Sequence, residues 1–86
     1  MEQEALEEGS LEAVVGIVFR RKGYVVAYPR EDWRGLSKQT SVSFSLSAWP
    51  KEEQFPQKGQ KVRLSQVSEF IKGWRALRAE PIKPVT

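Results

Sequence analysis

The chain contains no cysteine and no histidine. Without cysteine there is no disulfide to support a small fold and no thiolate to hold a metal. Without histidine the commonest general base and the commonest metal ligand are missing. Long apolar runs are missing too. The longest uncharged apolar stretch, Ala13 to Phe19, falls far short of the ~20 residues a membrane-spanning helix needs. Residues 2–8 are mostly acidic, which is not how a signal peptide opens. No glycine-rich loop of the phosphate-cradling kind is present. The acidic pairs Glu31-Asp32 and Glu52-Glu53 are neighbours in polar segments, where adjacent like charges mark solvation rather than acid–base chemistry. These absences argue against an enzyme, a cofactor, a bound metal, a small-molecule substrate and a membrane partner. The expectation is a cytoplasmic domain that binds rather than catalyses.

What the chain does have is positive charge, unevenly placed. Its 86 residues suffice for one domain. A domain of that size buries only roughly 60–65% of its unfolded surface. The formal net charge is +3. Residues 1–12 hold five glutamates (Glu2, Glu4, Glu7, Glu8 and Glu12) and no basic residue. Residues 13–86 hold all 14 lysines and arginines against the other six acidic residues, a net of +8. A basic body suits a polyanionic partner. It equally suits a charged, soluble surface, and charge alone does not separate the two. Residues 1–12 read as a flexible acidic tail, residues 13–82 as a folded body and residues 83–86 as a C-terminal tail.

The body reads as five short strands. Residues 13–21 are rich in β-branched side chains and form the first, with Gly16 where a small barrel bends. Lys22-Gly23 is a turn. Residues 24–28 are the second strand, with Tyr24, Val26 and Tyr28 on one face. Residues 29–41 are polar and long for a hairpin loop, where about 2–5 residues are usual. Residues 42–48 alternate Val42, Phe44, Leu46 and Ala48 against serines, the pattern of a half-buried third strand. Trp49-Pro50 ends it, and Trp49 is placed to cap the body. Residues 61–68 form the fourth strand, 69–73 turn at Lys72-Gly73, and 74–80 form the fifth. Five strands without a helical period predict an all-β, five-stranded antiparallel barrel of the oligonucleotide/oligosaccharide-binding (OB) type.

Five segments in order then resemble the cold-shock domain family, over roughly residues 14–82. Gly16-Ile17-Val18 is similar to the family's Gly-x-Val opening. Lys22-Gly23-Tyr24 resembles the Lys-Gly-Phe start of its first ribonucleoprotein motif. Val42 to Ala48 stands where the family has Val-Phe-Val-His-Phe-Ser-Ala. Gly59-Gln60-Lys61-Val62 resembles the Gly-Gln-x-Val opening of the fourth strand. Gly73 to Ile82 aligns without a gap to Gly-Pro-Gln-Ala-x-Asn-Val-x-Pro-Ile. The resemblance implies binding of single-stranded RNA or DNA, with RNA the first expectation, and aromatics on the second and third strands stacking the bases. Stacking of this kind is worth ~1–3 kcal/mol per base. Here Tyr24 keeps one platform position, but Val26, Ser43, Ser45 and Leu46 occupy others. The loop before Lys22 is shorter, and the loop 29–41 longer, than in bacterial cold-shock proteins. The chain is also similar to the cold-shock-like modules attached to exoribonucleases and helicases.

The candidate ligand face is therefore Phe19, Tyr24, Val26, Tyr28, Ser43 and Ser45. Arg20, Arg21, Lys22, Arg63, Lys72 and Arg75 are candidates to track a phosphate backbone. Trp33 and Arg34 in the long loop, and Trp74 at the start of the fifth strand, are candidate replacement contacts. Each has a plainer reading: a solvated strand face, a charged surface, a buried tryptophan. Little sequence preference is expected, since hydroxyls replace stacking rings and backbone charge dominates. The alternative is a protein-interaction module, in which a barrel without its platform holds a protein partner through Trp33, Trp74 or an edge strand.

Overall fold

The computed structural model describes residues 10–32 and 35–83. Five strands, β1 (Leu11–Phe19), β2 (Tyr24–Pro29), β3 (Val42–Ser45), β4 (Lys61–Phe70) and β5 (Gly73–Pro81), form one closed barrel in the order β1-β2-β3-β5-β4. This is the strand order of the OB barrel. One detail of the expectation is corrected. All pairs are antiparallel except β3 with β5, which run parallel through Val42↔Trp74, Ser43↔Arg75 and Phe44↔Ala76. The reason is parity. Strand directions cannot alternate all the way round a closed ring of odd number.

Inward positions follow the period of two. Leu11, Ala13 and Val15 of β1, Val25 and Ala27 of β2, Val42 and Phe44 of β3, Val62 and Leu64 of β4, and Ala76 and Ala79 of β5 are all buried. The alternation breaks twice. In β1 the register against β2 shifts between Val15 and Ile17, a bulge at Gly16. The Tyr28 ring lies so close there that a Cβ on residue 16 would meet its Cε1 at 2.9 Å. The second break faces Leu77. There Gln66 takes φ 54°, and core-facing positions pass from buried Leu64 to partly buried Val67 on β4 and from Ala76 to Ala79 on β5.

The strand expected over 42–48 is shorter. It stops at Ser45, whose hydroxyl accepts from the Ser47 N–H at 3.1 Å and caps a 3-10 turn, Leu46–Ala48. Leu46 still reaches the core from that turn, so its apolar period is kept while its backbone changes. Trp49 follows and is buried. It stacks on Phe44 with ring centroids 5.9 Å apart and donates from Nε1 to the Gln54 carbonyl at 2.9 Å. It thus caps the core and ties down the loop that follows. Lys83 holds Glu53 of the same loop at 2.8 Å, and that hydrogen bond, with the carboxylate's charge, raises the lysine above its ordinary pKa.

Other boundaries move as well: β1 ends at Phe19 rather than 21, β2 runs on to Pro29, and β4 and β5 extend to Phe70 and from Gly73 to Pro81, so the expected turn over 69–73 shrinks to Ile71 and Lys72. β1 begins at Leu11, so the barrel includes Leu11 and Glu12 rather than starting at 13. Glu12 reaches Arg30 at 3.0 Å and Arg63 at 3.8 Å. The rest of the expected acidic tail, residues 1–9, lies outside the described residues, as do residues 84–86 of the C-terminal one. The long loop after β2 is pinned by Leu36, 1% exposed. Among the described residues no helix is long and apolar enough to cross a membrane.

Candidate nucleic-acid interface

The two tight turns of the barrel put basic side chains beside its outer face. Between β1 and β2, Gly23 takes φ 80° and donates to the Phe19 carbonyl at 2.8 Å, closing a turn that carries Arg20, Arg21 and Lys22. Only glycine adopts that φ at little cost. The turn sets Phe19 against Tyr24, ring centroids 4.8 Å apart and tilted by 30°. Lys22 Nζ stands 5.9 Å from the centre of the Phe19 ring, and the Arg20 guanidinium 4.6 Å from that of Phe55. Between β4 and β5 the chain reverses through Ile71 and Lys72, with Phe70 paired to Gly73. The Arg75 guanidinium lies 5.7 Å from the centre of the Phe70 ring.

A cleft of about 550 Å³ joins the two turns across β3. Lys22 and Tyr24 line one end, Lys72, Trp74 and Arg75 the other, and Ser41, Ser43 and Ser45 lie between. The ends are fixed by register: Tyr24 pairs with Ser45, Trp74 with Val42. Ser41 to Ser45 is about 13 Å at the usual rise of a strand. Trp74 is half-buried and packs on the core while lining the cleft. No described residue lining the cleft is acidic. Among the described residues Arg21, Lys22, Lys72 and Arg75 make no ion pair with a carboxylate.

Seven residues singled out by the sequence thus meet in one cleft: Lys22, Tyr24, Ser43, Ser45, Lys72, Trp74 and Arg75. Phe19 adjoins it through Tyr24. Arg20 and Arg21 are exposed on the turn, Arg20 directed to Phe55. Tyr28 stands apart on β2, opposite Val14 and over Gly16. Arg63 is not brought to the cleft. It faces Glu12 at 3.8 Å and Glu80 at 3.7 Å on another side of the barrel. Trp33 and Arg34 lie outside the described residues.

The sequence pattern does not single out Ser41, Ile17, Phe55 or Phe70. Phe55 had a usable signal, an aromatic between polar residues and a proline in a loop; it is 40% exposed. Ile17, 47% exposed, is turned outward by the Gly16 bulge, which the sequence locates but does not orient. The outer face of β1 and β2 is in consequence apolar: Ile17 pairs with Val26 and Phe19 with Tyr24. No protein-family model matches the chain, and no curated protein matches it in sequence.

Proposed function

We propose that this chain is a divergent cold-shock-type barrel that binds single-stranded nucleic acid, RNA or DNA, with little sequence preference. The cleft carries this reading. Its described lining is basic or neutral, it ends at both turns in cations that pair with no described carboxylate, and it offers Tyr24 and Trp74 as rings for a bound base. Lys22, Lys72 and Arg75 would hold phosphates, and the serine hydroxyls of β3 would hydrogen-bond to sugar, phosphate or base edges. Serine cannot stack, so backbone charge supplies most of the affinity and salt weakens it steeply. A cytoplasmic location belongs to the same proposal.

The test is a titration of labelled single-stranded RNA and its DNA equivalent by fluorescence anisotropy, at low and near-physiological salt, with tryptophan emission followed in parallel. Binding that falls with salt and quenches tryptophan is expected. Arg21→Glu with Lys22→Glu should abolish it. Unchanged affinity in that double variant, or no binding at low salt, would sink the reading.

The alternative, a protein-interaction module on the same scaffold, has one observation in its favour. The β3–β5 ladder ends at Ala76, so residues 77–81 of β5 have a strand on one side only. Residues 77–80, with Leu77 half-exposed, border a groove of about 720 Å³ shared with Trp49 and Glu52. An extended peptide can add to such an edge. Its mark would be a complex insensitive to salt and to oligonucleotide.

A further inference from the structure

The β4–β5 hairpin ends in an apolar point that the core does not use. Ile71 is fully exposed at 104%, and Phe70 beside it is 45% exposed. Two adjacent large apolar residues at a turn cost solubility and gain nothing in packing. A charged or polar turn would serve the fold equally well. The same turn carries Lys72, and the Phe70 ring is steadied by Arg75 above it. Lys72 and Arg75 are lining residues of the cleft. The apolar point therefore stands at the mouth of the cleft, at its Ser41 end.

We infer that Ile71, backed by Phe70, is a wedge that takes the place of the last base pair where a duplex meets a single strand and stacks on the pair behind it. The inference rests on the single-strand reading of the cleft. One strand of such a junction would lie along β3, its phosphates met by Lys72 and Arg75. The paired end would then abut the hairpin tip. Apolar side chains are the ones that enter between base steps, because they replace a stacking contact without demanding a hydrogen bond. The positive charges next to the point supply the complementarity that an apolar protein contact would not need. The protein would thus act at junctions, holding a frayed base pair open rather than only coating single strands. It needs no energy source, since binding of the released strand drives the opening.

The experiment uses the full chain and short RNA duplexes with a 5′ or a 3′ single-stranded tail, carrying 2-aminopurine in the terminal pair at the junction. Single-strand affinity is measured in the same buffer with the tail sequence alone. The expected result is brighter 2-aminopurine on binding, and about fivefold tighter binding to one tailed duplex than to the tail, the low end of what stacking one base is worth. Ile71→Ser should lose both effects and keep the affinity for the tail. Ile71 touches nothing in the core, so the variant folds; Ile71→Leu should retain both effects. No brightening with either duplex, or equal brightening with Ile71→Ser, overturns the wedge while leaving the cleft reading intact. An Ile71→Ser variant unchanged towards RNA but defective in capturing a protein would assign the tip to a protein partner and overturn it as well. Failure to bind the tail at all sinks the function proposed for the cleft, and the wedge with it.

Discussion

Ser43 marks the difference between this barrel and a stacking platform. It lies on β3 facing the cleft, next to Arg75 across the parallel pair. Ser43→Phe should place a ring there and tighten binding of single strands by ~1–3 kcal/mol, read by anisotropy at fixed salt. A fall in affinity would mean that the hydroxyl, not the space, matters. Gly16 tests the bulge. Gly16→Ala should cost about 1–2 kcal/mol in urea melts, because its methyl presses on the Tyr28 ring. The cost should vanish in a Tyr28→Ala background, since the ring is 39% exposed and nothing else confines the new methyl as closely. At this scale residue type was the legible part. Lys22, Tyr24 and Trp74 are conspicuous in sequence and do meet. Arg63 is as conspicuous and does not, because its surroundings come from Glu12 and Glu80 on neighbouring strands, and pairing between distant strands is invisible in a local pattern.

The strands were legible from their alternation, and their ends were not. Val42, Phe44, Leu46 and Ala48 keep the same period whether residues 46–48 are extended or wound into a 3-10 turn. What decides is the Ser45 hydroxyl bonding to Ser47, both by its backbone at 3.1 Å and by its hydroxyl at 2.8 Å. Such a local bond competes with the ladder and leaves no trace in hydropathy. The turn between β1 and β2 is the element on which the cleft depends most. Its Gly23 carbonyl also accepts from Leu46 N–H at 2.9 Å, joining the turn to the end of β3. Gly23→Ala would force an alanine to φ 80°. It should cost about 1–2 kcal/mol of stability and weaken binding by misplacing Lys22, with a Kd change larger than that of Lys22→Ala. Equal changes would show that the turn merely carries the lysine.

The charge of the whole body was legible in the sequence, but only the fold says which part of it is concentrated. Of 14 basic residues, Lys22, Lys72 and Arg75 converge on one cleft. Each, changed to Gln, should lower the slope of log affinity against log salt by about 0.7, the value for a single-strand phosphate contact. Arg63→Gln should leave it alone. The odd number of strands has a further effect. The hairpin β1–β2 and the hairpin β4–β5 belong to opposite ends of the chain. On the cleft side they are joined only through β3, whose ladder with β5 is three pairs long. That parallel seam is the shortest ladder of the ring. An oligonucleotide laid from Lys22 to Lys72 would span it and act as a clasp. The ligand would then stabilise the fold by mass action, about 2.7 kcal/mol at a hundredfold excess over Kd. It would also slow hydrogen exchange most at Ser43 and Ala76 and least along β1–β2, turning the barrel's one flaw of symmetry into its reporter of occupancy.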